Sequence, residues 1–128
     1  MIIPEPLKTT AEELVRGCRE GYERENLDKL YAPNAVSVEA YPNPDQDTPE
    51  TAGLDGIKGK HDWWEATFEE TTRDVQGPFF HGGDRFSVYF ATKAKNKNTG
   101  ETLEMTETAT YHVDQQGRIV REEFFWRP

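Results

Sequence analysis

From Thr102 to Val113 the residues alternate in character, with Leu103, Met105, Glu107, Ala109, Tyr111 and Val113 on one parity and Thr102, Glu104, Thr106, Thr108, Thr110 and His112 on the other. A strand points successive side chains to opposite faces, so Glu107 stands in the middle of an otherwise apolar face. Burying an ionised carboxylate there costs several kcal/mol, roughly, unless it is paired or neutralised. The last strand offers a second glutamate. Val120, Glu122, Phe124 and Trp126 form its less charged face, against Ile119, Arg121, Glu123, Phe125 and Arg127. Turning the first face inward buries Glu122, although a slip of one residue would bury Glu123 instead. Two inward glutamates raise each other's pKa through desolvation and like charge. Such a pair can supply a general acid and a general base near neutral pH.

A histidine joins them from a helix. Ile57, His61, Trp64 and Phe68 recur at i, i+4, i+7 and i+11 on one face, with Lys60 and Asp62 off the stripe. His61 either pairs with a glutamate and holds it ionised, or is a core histidine bonded to a backbone carbonyl. Trp63 and Trp64 are adjacent and cannot both point inward; Trp64 shares the Ile57 face, which leaves Trp63 for a rim. His61, Glu107 and Glu122 together resemble a His-plus-carboxylate metal set, but no close-spaced ligand motif supports one, and no metal is expected. The acidic loop Asp45-Gln46-Asp47 lacks the glycine and distal glutamate of a calcium loop. No glycine-rich phosphate loop, nucleophile elbow or Cys–His pair is present, so no cofactor is expected. Cys18 reads as a small hydrophobe on a helical stripe.

The elements that must position these groups follow from periodicity. Thr9 and Thr10 precede Glu12 and Glu13 at capping-box spacing and predict a helix start there, with Leu14, Val15, Cys18 and Tyr22 as its buried stripe. A short helical turn through Leu27 and Leu30 ends at Pro33-Asn34. Ala35 to Tyr41 reads as a strand, residues 42–53 as a proline-rich acidic loop, and Leu54 or Lys58 to Thr72 as a helix. Strands are then predicted over Arg73–His81, Arg85–Lys95, Glu101–Val113 and Arg118–Trp126, with turns at Gly82-Gly83-Asp84, 96–100 and 114–117. This order predicts one α+β domain over residues 1–128, with helices on one face of a curved sheet.

Composition sets the outer bounds. The chain has 128 residues, a formal net charge of −9 and 12% aromatic residues against only 34% hydrophobic ones. Aromatics in periodic segments point to a core or cavity lined by large rings. The negative charge, without a basic stripe, argues against nucleic acid. A single cysteine fits a reducing compartment. The opening Met-Ile-Ile-Pro-Glu-Pro has no basic region or long apolar run, so neither a signal peptide nor a membrane span is expected, and a soluble cytoplasmic protein is.

Several segments together resemble the NTF2-like superfamily in its SnoaL-like branch, which includes ketosteroid isomerase and polyketide cyclases. They are Asn26-Leu27-Asp28-Lys29-Leu30-Tyr31-Ala32-Pro33-Asn34-Ala35-Val36, Gly53 to Trp64, Phe86-Ser87-Val88-Tyr89-Phe90, and Tyr111-His112-Val113-Asp114 with Gly117-Arg118-Ile119-Val120. The resemblance implies a cone of curved antiparallel sheet with N-terminal helices on its concave face, often a homodimer through the sheet. It implies pocket-lining roles for Phe86, Val88, Phe90, Tyr111, Phe124 and Trp126, beside Ala109, Val120 and Glu122, with Trp64 facing them from the helix. It places the isomerase's general base at Glu39. The isomerase's oxyanion-hole aspartate falls on Ala109 and its catalytic tyrosine near Cys18, so its donor pair is missing. Tyr111 remains able to orient a substrate through its hydroxyl.

Two functions compete on this reading. One is a pocket enzyme without cofactor, an isomerase, dehydratase or cyclase acting on a small apolar or amphipathic organic molecule, with Glu107 or Glu122 as base and Glu39 and His61 as further candidates. The other is a non-catalytic dimeric binding or interaction module whose glutamates only shape a polar pocket floor.

Overall fold

Alternation builds the sheet. Along Arg85–Asn96, Phe86, Val88, Phe90, Thr92 and Ala94 are buried while the residues between them are not, as a strand with one dry face requires. A computed structural model of the chain describes residues 2–42 and 46–127. Its elements run α1 (Glu5–Glu20), α2 (Glu23–Leu30), β1 (Tyr31–Val38), β2 (Glu50–Ala52), α3 (Leu54–Thr67), β3 (Phe68–Phe80), β4 (Arg85–Asn96), β5 (Thr102–Val113) and β6 (Ile119–Phe125). They form one α+β arrangement, with three helices packed on a six-stranded, unclosed curved sheet of order β2-β1-β6-β5-β4-β3.

Neighbouring strands are antiparallel except β1 and β6, which run parallel. A purely antiparallel meander from local turns does not anticipate that seam, because its partners lie about ninety residues apart in the chain. The parallel seam brings Ser37 beside Glu122. One row of inward side chains then crosses the whole sheet: Phe80, Phe86, Tyr111, Glu122, Ser37 and Thr51.

Several boundaries depart from those predicted. Helix α1 starts at Glu5, not at Thr9 or Thr10, because Pro4 and Pro6 hold helix-compatible φ in the first turn. Thr10 is no cap: its buried hydroxyl donates to the Gly117 carbonyl at 2.5 Å. Helix α3 ends at Thr67 rather than Thr72, and β3 begins at Phe68 rather than Arg73, because 68–72 pairs with the far end of β4 from Phe68–Asn96 onward. Strand β1 begins at Tyr31, and Pro33 and Asn34 sit exposed within its irregular stretch between Tyr31 and Val36, where a missing N–H breaks no ladder. Of the 42–53 loop, residues 43–45 lie outside the described residues, Asp45 of the acidic tripeptide among them; its end, Glu50–Ala52, is β2.

The core lies between the three helices and the concave face, where Leu7, Ala11, Leu14 and Val15 of α1, Leu27 of α2 and Ile57 of α3 meet Phe86, Val88, Ala109, Tyr111 and Ile119. Burying each large side chain contributes about 1.5–3 kcal/mol. No described helix is long and apolar enough to cross a membrane.

Candidate functional site

Glu122 is the deepest of the candidate carboxylates, with only 3% of its surface exposed. Its carboxylate accepts hydrogen bonds from the Tyr31 hydroxyl and, at 2.6 Å, from Ser37 Oγ. Burial and the neighbouring Glu122 charge push the Tyr31 phenol well above its ordinary pKa, so it stays a neutral donor. Glu123 points the other way, to His112 Nε2 at 2.7 Å and to Arg121. The choice between the two glutamates is thereby resolved by the β1–β6 pairing.

The bonds continue outward. Ser37 Oγ also accepts from Lys60 Nζ at 2.7 Å, and the same ammonium bonds Glu39, whose second oxygen accepts from Trp126 Nε1 at 3.0 Å. Lys60 additionally lies 5.2 Å from the Phe124 ring centroid, a cation–π distance. Tyr31, Glu122, Ser37, Lys60, Glu39 and Trp126 thus form one chain from the core to the rim. Lys60 was expected off the pocket face. It reaches inward because its long stem lies over Phe124 while its head finds Glu39.

Glu107 is different in kind. It is partly buried and aligned with Val75 and Phe90 on the concave face, and no hydrogen bond to its carboxylate is found among the described residues. Burial, with the Glu39 charge next, raises its pKa to about 7; Arg73 and Lys60 oppose this, and Glu122 adds to it. A carboxyl poised there can both give and take a proton near neutral pH. It also borders a surface recess of about 440 Å³ at the end of the sheet, where β5 runs on beyond the end of β6 at Phe125, though most of that lining (Tyr89, Glu104, Thr106, Thr108 and Phe125) belongs to the convex face.

His61 does not hold a glutamate ionised. Among the described residues it makes no hydrogen bond, Glu122 being already satisfied by Tyr31 and Ser37. Burial lowers its pKa, against the pull of Glu122, so His61 stays neutral. Tyr111 is stacked on Phe86, centroids 5.0 Å apart, and meets Phe124 edge-on at 6.5 Å; burial drives its phenol well above the ordinary value. Phe86 and Val88 have no exposed surface and belong to the packed layer. Phe90 is 7% exposed, whereas Trp64, Phe124 and Trp126 keep more of their surface open. Trp64 stacks on Phe68 at 4.5 Å, and Trp63 is an exposed rim residue meeting Phe68 edge-on at 5.9 Å. Burial pushes the Cys18 thiol up to about 12, which makes it inert. Among the described residues no group of three metal-ligating side chains comes together.

Sequence reasoning missed Tyr31, Ser37 and Lys60. One signal was available: Ser37 shares strand parity with Glu39, and a strand face carrying both is wet or part of a polar network.

The helix-packed, curved and unclosed sheet is that of the NTF2-like class of α+β proteins. Within it, residues 11–126 match the SnoaL-like domain model, and the chain belongs to that family. A protein described as a SnoaL-like polyketide cyclase from Mesorhizobium loti is 27% identical, with a TM-score of 0.83 over 92% of this chain and 97% of that one. A steroid delta-isomerase from Pseudomonas aeruginosa shares the fold at 19% identity and TM-score 0.70, over 100% of this chain and 84% of that one. So does a Mycobacterium tuberculosis protein in complex with estradiol-17β-hemisuccinate, at 19% identity and TM-score 0.72, over 97% and 95%. A comparison with curated proteins finds no match.

Proposed function

We propose that this chain binds a small, largely apolar organic molecule on its concave face and uses Glu107 to move a proton on it, in an isomerisation, dehydration or cyclisation that needs no cofactor. The observation carrying this is the Glu107 carboxyl, raised to about 7 at an aromatic mouth, with no hydrogen-bond partner among the described residues. Phe90, Phe124, Trp64 and Trp126 supply walls that exclude water. Glu122 and Glu39 are held by Tyr31, Ser37 and Lys60, so they act as fixed charges that tune Glu107. Neutral His61 completes the lining, with Tyr111 behind it in the packed layer. SnoaL-like membership supports this reading, and the fold is shared with a steroid delta-isomerase and with a protein solved in complex with estradiol-17β-hemisuccinate.

The test combines two measurements on the intact protein. Carbon-13 NMR titration of the glutamate carboxyls should find one group titrating near 7 that disappears in Glu107→Gln. Tryptophan fluorescence should report saturable binding of a steroid ketone. An ordinary carboxylate titration for Glu107, or no binding of any apolar ketone, would sink the proposal. Binding without turnover, unchanged by Glu107→Gln, would establish the non-catalytic module instead; two of the three inward carboxylates being already bonded favours that reading.

For assembly we propose a homodimer through the convex face, where Phe125 is 55% exposed beside Thr108, with Tyr89 one strand further on. We place it in the cytoplasm, the compartment its unpaired Cys18 suits.

A further inference from the structure

Strands β5 and β6 do not end together. Their ladder stops at Thr108–Phe125, while β5 stays paired with β4 down to Lys95–Thr102. From Thr102 to Glu107, the side of β5 that would continue against β6 has no strand beside it. Among the described residues, no other hydrogen bond reaches its backbone on that side. Six residues make an edge of about 20 Å. The recess of about 440 Å³ sits on this step, with Met105, Thr106 and Glu107 on one wall and Phe125, Trp126 and Arg127 where the chain leaves β6.

An unpaired strand edge invites another strand, and proteins blunt such edges with bulges, proline, lysine or a covering group. The outer edge of β3 is blunted in three ways. It bulges between Glu70 and Thr72 and again between Gln76 and Phe79, it carries Pro78, and Arg19 takes its Val75 carbonyl with Nε and Nη2 at 3.2 and 3.0 Å. The step in β5 has none of these. Its register with β4 is unbroken, and no proline, lysine or arginine occurs from Thr99 to Gly117. Large apolar side chains stand exposed beside it, Leu103 by 37% and Phe125 by 55%.

Charge selects the occupant. Glu101, Glu104 and Glu107 recur at every third residue of this segment. Glu104 has one cation, Lys93 Nζ at 3.3 Å, but both side chains are more than half exposed, and such a pair contributes little. Arg127 is the one cation in the recess lining among the described residues. Pairing this edge with that of a second copy would bring two rows of glutamates together on chains of net charge −9. A strand with cations of its own is attracted instead. Directly opposite residues of an antiparallel pair share a face, whereas Glu104 and Glu107, three apart, stand on opposite faces. The incoming strand therefore needs two cations three positions apart.

We propose that the Thr102–Glu107 edge of β5 receives an extended segment of a partner protein, added antiparallel in line with β6, with cationic side chains opposite Glu104 and Glu107 and an apolar one opposite Met105. Backbone bonds along β5 hold the segment, and the two cations set its register.

The probe is the peptide acetyl-Lys-Thr-Val-Lys-Val-Thr-amide, titrated into the intact, isotope-labelled protein at low salt and followed by NMR. Binding should move the amide signals of residues 102–107 and slow hydrogen exchange at alternate positions among them, those whose N–H points into the step. Replacing both peptide lysines by glutamate should weaken binding about tenfold or more. N-methylation separates strand pairing from simple charge attraction: methylating one alternating set of peptide residues should abolish binding, and methylating the other should leave it. Glu104→Lys should invert the preference between the lysine and glutamate peptides; should that variant fail to fold, the methylated peptides on the wild type decide. No binding of the lysine peptide at millimolar concentration, equal tolerance of both methylated sets, or signal changes confined to other strands overturns the proposal. So does slow exchange at alternate positions of 102–107 in the free protein that is lost on dilution, which would give the edge to a second copy. None of these readouts involves an apolar ligand, so the docking edge stands or falls separately from the concave pocket.

Discussion

At the residue scale, Glu107 ties stability to pH, with a sign that can be worked out. Its carboxyl is raised to about 7 in the folded chain, from an ordinary glutamate value of 4.5. Between those values the folded state holds more protons than the unfolded one, so stability falls as pH rises through that window. The loss is complete above about pH 8 and amounts to about 3 kcal/mol. Glu107→Gln should therefore flatten the urea-unfolding profile between pH 5 and 8 and exceed the wild type in stability at pH 8, by less than that amount because part of the side chain reaches solvent. A profile identical to the wild type's would show that Glu107 is an ordinary carboxylate. Its neighbours give a second reading by NMR. Lys60→Met removes a cation that pulls the Glu107 pKa down and should raise it, whereas Glu39→Gln removes the charge that pushes it up and should lower it. Opposite shifts from two residues bonded to each other are hard to obtain from a general loosening of the mouth.

At the element scale, α1 is locked to the β5–β6 turn through one point. Thr10 donates to the Gly117 carbonyl, and Gly117 holds φ +84, with Pro6 O only 2.7 Å from where a Cβ would stand. Thr10→Val should cost about 1–3 kcal/mol by leaving a buried carbonyl unpaired. Gly117→Ala should cost at least as much, since it adds the strain of a positive φ to a backbone clash; a chevron or urea melt measures both, and a neutral Gly117→Ala would mean α1 simply lifts off. This contact was not legible in the sequence, where Thr10 reads as a helix cap, because a capping box and a tertiary hydroxyl bond use the same residue. What periodicity revealed well were β4, β5 and β6, whose long runs alternate against one dry face. Glu107 and the inward Glu122 followed from the same parity. Lys60 and Ser37 did not, since a lysine on a helix and a serine on a strand look like solvent-facing residues until β1 pairs with β6. That pairing joins residues about ninety positions apart, and no local pattern encodes it. The same blindness hid β2 and the first five residues of β3, whose strand character comes from partners and not from their own composition.

At the scale of the whole molecule, the sheet has two unlike faces. The concave side is filled by helices and aromatic rings, while the convex side carries threonines, charged residues and a few large apolar groups. Phe125 is the most telling of these, exposed by 55% at the end of β6, on the face opposite buried Glu122 and half-buried Phe124. A protein of net charge −9 repels copies of itself at low salt, so self-association has to bury enough apolar surface to overcome that repulsion. If Phe125 is central to a convex-face homodimer, sedimentation should give a dimer whose dissociation weakens as salt screens the charge. Phe125→Glu should convert it to a monomer with an unchanged circular dichroism spectrum, because the side chain contributes nothing to the concave core. The concave site is built within one protomer, from β1, α3, β3, β5 and β6, so the monomeric variant should bind an apolar ketone as the wild type does. A wild type that is monomeric at millimolar concentration would dispose of the dimer. A Phe125→Glu monomer that also loses ligand binding would mean that the β5–β6 end, with Trp126 and Glu107, needs the second copy to hold its shape.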